Sequence, residues 1–196
     1  MIDRIKLENL KNYAKRRHIP IIQDGSIELL KIIFALRKPK KVLEIGTAVG
    51  YSSICFSEFL SDNDSKIITV ELDEETSKEA RNNISEITDS NIEVVNYDGY
   101  EYMKSLDETF DIIFIDAAKG QYMKYLSEAY RLTKSGSIII ADNILFRGMV
   151  LSEYNEHKHR TAVTRLREYI KEVKENEKLI STIIDIGDGL AVSIVK

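Results

Sequence analysis

Five short apolar runs, each ending where the chain turns polar, restrict the fold more than any other feature of this sequence. They are KVLEIG (41–46), KIITVEL (66–72), NIEVVNY (91–97), FDIIFIDA (110–117) and SGSIIIAD (135–142). Nearly continuous apolar runs of this length suit strands covered on both faces, as in a parallel sheet. The segments between them, roughly 50–60, 74–87, 99–105 and 119–133, are amphipathic with helical spacing. Strand and helix in alternation make βαβ units and a doubly wound α/β sheet. After a long charged helix at 158–176, LISTIIDIGDGLAVSIVK (179–196) reads as two strands around a Gly-Asp-Gly turn, a hairpin signal. The expected fold is therefore a mostly parallel, seven-stranded, Rossmann-like sheet ending in an antiparallel hairpin. That ending separates it from plain dinucleotide-binding folds, which close on a parallel strand. Residues 2–17 and 25–37 read as two further helices ahead of the first strand, suited to a lid or an interface.

Composition removes several function classes. The 196 residues suit one domain, 1–196, with a core of its own. A single cysteine, Cys55, excludes an intrachain disulfide and a Cys-rich zinc module. Net charge is −4, from 28 Lys and Arg against 32 Asp and Glu, so no whole-surface attraction to nucleic acid is expected. The charged N-terminus, MIDRIKLENLKNYAKRRH, has no signal-peptide core. No run approaches the ~18 apolar residues of a membrane span. A cytoplasmic protein without membrane contact is the expectation.

The first loop, VLEIGTAVGYSS (42–53), carries Gly46 and Gly50 between a strand and a helix start. Glycines there let the backbone turn tightly and approach a ligand, and the helix behind offers free N–H groups. The pattern is neither G-x-G-x-x-G nor a P-loop. Taken alone it is also compatible with a ligand-free corner. Glu71, at the end of the second strand, changes the balance, because an acid there can accept both hydrogen bonds of a ribose diol. Asp73 suits the N-cap of the next helix, with Glu74 and Glu75 in its first turn. Asp98 after the third strand either accepts from an adenine amine or caps the helix at Gly99.

At the far strand ends stand Asp116, Asp142 and Asn143. Ligands of doubly wound sheets bind beyond the carboxyl ends of the strands. Two carboxylates and an amide suit a hard divalent cation, or else they are ordinary loop caps. Lys119, three residues past Asp116, is either a base or a solvated lysine. Tyr122 and Tyr51 either line a substrate pocket or belong to the core.

In order, VLEIGTAVGYSS, TVELDEE, FDIIFIDAAKGQY and IIIADNILFRGMV resemble the class I S-adenosylmethionine-dependent O-methyltransferases, over roughly 20–196. Within that class they are similar to the cation-dependent catechol and caffeoyl-CoA branch. The DAAKGQY and DNILFRG pair looks most like the bacterial tRNA 5-hydroxyuridine methyltransferases. The resemblance implies that Glu44, Gly46, Thr47, Ala48, Gly50, Tyr51 and Ser52 form the cofactor loop. By the same resemblance Glu71 holds the ribose, and Asp98 and Gly99 lie by the adenine. It implies Mg²⁺ or a similar ion on Asp116, Asp142 and Asn143, with Asp116 also near the cofactor and in the catalytic set. Lys119 falls at the position of the catechol enzymes' base. Ala117-Ala118, where those enzymes have bulkier neighbours, opens the pocket and argues against a small flat catechol. No equivalent of the longer substrate-gripping insertion of the caffeoyl-CoA enzymes is present.

The expected reaction is therefore methylation of a hydroxyl whose pKa a cation lowers. The first expected acceptor is the 5-hydroxyl of wobble 5-hydroxyuridine in a tRNA anticodon loop. A catechol-like phenol is the alternative, and a catalytically silent nucleotide-binding protein is a third reading. RNA needs phosphate contacts. Candidates are Lys11, Lys15, Arg16 and Arg17, then Arg147 beside the metal loop, and more weakly Lys158, His159, Arg160, Arg165 and Arg167. Each run is otherwise a solvated helix face, except that Arg147 is placed to touch substrate. A homodimer is expected from the family and the N-terminal helices.

Overall fold

The apolar runs become the strands that their composition demands. A computed structural model describes residues 2–60, 64–117, 119–152 and 157–196. Its seven strands form one sheet in the order β3-β2-β1-β4-β5-β7-β6. The chain separates into two compact units, Met1–Tyr102 and Met103–Lys196.

In the first unit, β1 (Lys41–Ile45), β2 (Lys66–Glu71) and β3 (Ile92–Asn96) pair in parallel. Val42 lies opposite Ile67, and Ile67 opposite Ile92. The interiors of β1 and β2 are buried, whereas β3 is only half-buried because it is the sheet's edge. Around them pack α1 (Arg4–Arg16), α2 (Asp24–Arg37), α3 (Tyr51–Phe59), α4 (Glu74–Ile87) and α5 (Gly99–Ser105). Asp3 caps α1 by accepting from the N–H groups of Ile5 and Lys6, both at 3.0 Å. The first two helices are integral to this unit. Leu7, Leu10 and Ala14 of α1 are buried, and Phe34 of α2 stacks on Phe56 of α3 with centroids 5.3 Å apart.

The second unit contains β4 (Phe110–Ile115), α6 (Tyr122–Arg131), β5 (Thr133–Ala141), α7 (Arg160–Glu175), β6 (Leu179–Ile184) and β7 (Leu190–Val195). β4 and β5 are parallel, with Ile112 opposite Ile138. β7 is antiparallel to β5 and β6 antiparallel to β7, so the hairpin inserts its second strand beside β5. β6 consequently runs in the same direction as β5. The expected helix 119–133 is shorter than its pattern. A 3-10 turn occupies Lys119–Gln121, α6 ends at Arg131, and β5 begins at Thr133, two residues before the expected strand. The Arg131 guanidinium donates to the carbonyls of Leu106 (2.8 Å) and Met103 (2.6 Å), which ties down that helix end. Among the described residues no helix is long and apolar enough to cross a membrane.

Phe34 is 1% exposed, so Phe34→Ala removes a full aromatic side chain from the first unit's core. We expect a loss of about 3–5 kcal/mol in urea unfolding, as is usual for a buried Phe→Ala change. A loss below about 1 kcal/mol, the scale of an ordinary mutation, would show α2 to be loosely attached.

Candidate functional site

Each unit gathers one set of polar groups at the carboxyl ends of its strands. In the first unit the glycine loop is held from below and from one side. Glu44, at the fourth position of β1, is fully buried; it accepts from Ser53 Oγ and, at 2.6 Å, from Thr69 Oγ1. Thr47 and Thr69 share a hydroxyl bond of 2.7 Å. The loop needs left-handed backbone at Gly46 (φ 102°), Ala48 (φ 46°) and Gly50 (φ 86°). Glycine adopts this at no steric cost, and alanine does not. The Ala48 conformation is fixed by Glu71, whose Oε2 accepts from the Ala48 N–H at 2.9 Å. Its other oxygen accepts from the Asp73 N–H at 3.1 Å. Asp73 is the N-cap of α4, accepting from Thr76 N at 2.8 Å, as its place in the sequence suggested. Asp98 caps α5 by accepting from Glu101 N at 3.0 Å, just ahead of Gly99, the first residue of that helix. Ser52, in the first turn of α3, is half-buried.

The Tyr51 side chain turns away from the glycine loop's hydrogen bonds. Its side chain is 6% exposed and faces a cavity of about 440 Å³ bordered by Lys11, Asp24 and Cys55. Burial, with the neighbouring Cys55 thiol, raises its phenol pKa well above the ordinary value. Sequence reasoning missed Ser53, Thr69 and Asn83, which together support this loop. The Asn83 amide donates to Val49 O at 3.0 Å. Only their small polar character inside apolar stretches hinted at such a role.

The second unit brings Asp116, Asp142 and Asn143 together. Asp116 follows the last residue of β4, Asp142 follows the last residue of β5, and the Asp142 N–H donates to Ile115 O at 2.9 Å. Asn143 is left-handed (φ 59°), a conformation asparagine tolerates better than most residues. Its backbone N–H donates to Asp142 Oδ1 at 2.7 Å and its amide Nδ2 to Asp116 Oδ1 at 2.8 Å. Asp142 is 3% exposed. Burial, then the Asp116 charge, pushes its pKa up to about 7; Asp188 adds to the rise, while the Asn143 N–H and Lys119 oppose it. Burial raises Asp116 as well, against the Asn143 amide and Lys119. Among the described residues no three His, Cys, Asp or Glu gather, so the set is two carboxylates and an amide.

This donor set fits a divalent cation. Burial raises the pKa of both carboxylates despite the Lys119 charge, and a half-turn of the Asn143 amide presents Oδ1 in place of Nδ2. Lys119 lies with its ammonium 4.9 Å from the centre of the Phe146 ring, and His159 meets the same ring edge-on at 5.4 Å. Phe146 was not anticipated, although it stands three residues past Asn143. Ala117 is half-buried, and Ala118 lies outside the described residues.

Two substrate expectations need correction or narrowing. Tyr122 does not line a pocket: it is fully buried, donates its hydroxyl to Asp142 O at 2.7 Å, and packs edge-on against Tyr169. Arg147 is exposed beside the loop, and its backbone N–H donates to Asp188 Oδ1. Of the proposed phosphate contacts, Lys11 is paired with Asp24 at 2.6 Å. Arg165 pairs with Glu168 at 2.9 Å, and Arg167 donates to the carbonyls of Val150 (2.9 Å) and Ser152 (2.5 Å). Lys15, Arg16 and Arg17 remain exposed.

A mostly parallel sheet finished by a hairpin, with a glycine loop and an acid at successive strand ends, defines the Rossmann-like methyltransferase fold. The O-methyltransferase family profile matches residues 2–195. The chain belongs to that family, the S-adenosylmethionine-dependent O-methyltransferases of the catechol and caffeoyl-CoA type. It is 32% identical over 179 residues to a catechol O-methyltransferase of Niastella koreensis, covering 86% of this chain and 79% of that protein. Among solved structures it resembles a Staphylococcus aureus protein assigned to the caffeoyl-CoA O-methyltransferases, with TM-score 0.89 and 28% identity over 97% of this chain and 92% of that one. It also resembles the Bacillus cereus O-methyltransferase solved with S-adenosylhomocysteine (SAH), with TM-score 0.85 and 25% identity over 99% and 92%.

The raised Asp142 pKa gives a pH test. The folded carboxyl keeps its proton to about pH 7, whereas the unfolded one loses it near the ordinary 3.8. The folded state therefore binds more protons in that window, and the group lowers stability progressively as pH rises from about 4 to about 7. In metal-free protein, Asp142→Asn should melt higher than the parent at pH 8, and the gap should close toward pH 4. A gap independent of pH would contradict the charge conflict.

Proposed function

We propose that this protein moves a methyl group from S-adenosylmethionine to a ring hydroxyl that has a second oxygen beside it, a catechol-type acceptor. The pair of carboxylates at the ends of β4 and β5, Asp142 buried and Asp116 half-buried, carries this reading. Asp116, Asp142 and Asn143 would hold Mg²⁺ or a similar cation. When bound, such a cation polarises an acceptor oxygen and lowers its pKa. In the first unit the glycine loop at Gly46–Gly50 approaches the donor closely, and Glu71 accepts from its ribose. SAH in the Bacillus cereus relative supports that assignment of the cofactor. The reaction is a displacement: the acceptor oxygen forms a bond to the methyl carbon as the carbon–sulfur bond breaks. Lys119 is the group assigned to take the hydroxyl proton. Phe146, flanked by Lys119 and His159, offers a flat apolar wall to a planar ring.

The catechol relative favours a phenolic acceptor, and the small Ala117 suits one that carries a ring substituent. The 5-hydroxyl of wobble uridine is the second reading, since it too sits beside another ring oxygen. Exposed Arg147 next to the loop favours it, whereas Lys11, Arg165 and Arg167 already have partners within the chain, which weakens their case as phosphate contacts.

Purified protein with S-adenosylmethionine and Mg²⁺ should methylate a substituted catechol. Asp142→Ala should lower the rate by a factor of at least about 10², the contribution usual for one charge-stabilising group, and EDTA should abolish it. Full activity in EDTA would sink the cation assignment. Loss of 5-methoxyuridine from the tRNA of a deletion strain, with no catechol turnover, would replace the first acceptor with the second.

A further inference from the structure

The loop that carries Asn143 is unusual along its length. Asn143, Phe146, Arg147 and Gly148 all have positive φ (59°, 47°, 54° and 75°), three of them in succession. Non-glycine residues hold such angles only where their surroundings over-determine them. The surroundings here come from the hairpin turn between β6 and β7. Ile144 N–H donates to Gly189 O at 3.0 Å and Leu145 N–H to Asp188 O at 2.9 Å. The third bond is made by a side chain: the Arg147 N–H donates to Asp188 Oδ1. The approach is close enough that only glycine fits at 189. A Cβ there would lie 2.3 Å from Leu145 Cγ, and φ is already +87°.

We propose that Asp188 is a positioning residue for the cation-binding loop: its carboxylate fixes the left-handed Arg147 peptide and thereby the setting of Asn143. The inference rests on the cation site proposed above. Among the described residues Asp188 makes no hydrogen bond to Asp116, Asp142 or Asn143; its charge also reaches both carboxylates, so the exchange rates at Arg147, which charge alone would not move, isolate its action through the Arg147 backbone. The Gly187-Asp188-Gly189 sequence, first legible only as a turn, thus has a second use. Its glycines admit the close approach, and the aspartate between them reaches the loop.

The test uses full-length protein and two measurements. Amide exchange over residues 143–150 is followed without metal, and Mn²⁺ affinity is measured by calorimetry. Asp188→Ala should speed exchange at Arg147 at least about tenfold and weaken Mn²⁺ binding about 10–100-fold, as loss of an outer partner of a metal ligand does. Asp188→Asn keeps an acceptor oxygen and should recover most of both. If D188A does not fold, Asp188→Glu serves in its place, because it displaces the acceptor by one methylene and should lose protection likewise. Unchanged exchange in the disrupting variant overturns the proposal. So does faster exchange with Mn²⁺ affinity intact, or an Asn variant as impaired as the Ala variant. A parent protein that binds no Mn²⁺ would instead overturn the cation reading, and exchange alone would then decide whether Asp188 holds the loop.

Discussion

Two carboxylates, the half-buried Asp116 and the buried Asp142, lie within reach of one asparagine side chain and backbone, and much of the second unit is arranged around them. Like charges in a poorly solvated place repel, and each loses hydration. The protein relieves this only partly. Asn143 gives each carboxylate one donor, and the Lys119 charge acts on both. Around this conflict the fold spends rigid structure. Two parallel strands end at the same level, a buried tyrosine holds the Asp142 carbonyl, and the hairpin turn grips the loop beyond. Such an arrangement lowers the stability of the folded chain near neutral pH, and the cation proposed to bind there would supply the opposing charge.

The first unit solves a gentler problem. Its acid, Glu71, meets backbone N–H groups rather than another carboxylate, so the glycine loop and the strand end stabilise each other. The loop then presents backbone close to a ligand, while Glu44 and Thr69 make a hydrogen-bonded floor beneath it. The first unit thus carries a loop held by hydrogen bonds, and the second a pair of acids short of donors.

The fold was largely legible in the sequence because strands buried on both faces cannot avoid apolar runs. KVLEI, KIITV and FDIIFI could hardly be anything else once helical segments separated them. Element ends were less legible. Arg131 ends α6 with long-range bonds to Met103 and Leu106, and Thr133 enters β5 opposite Phe110, neither of which a local pattern encodes. At the site, Asp116, Asp142, Asn143 and Glu71 were visible because a strand end is a fixed address. Tyr122 and Tyr51 were left between pocket and core, since an aromatic near a site reads the same in either place, and both are buried. Asp188 was read only as part of a turn, because its partner is forty-one positions away.

The central claim is that the carboxylate pair is a cation site held partly protonated until it is filled. Calorimetric titration of metal-free protein with Mn²⁺ at pH 6, in buffers of different ionisation enthalpy, tests it most directly. Metal binding to a protonated ligand releases the proton. The account predicts saturable binding with about one proton released per ion, and a release that fades above pH 8. Saturable binding without proton release, or no binding at all, would contradict it.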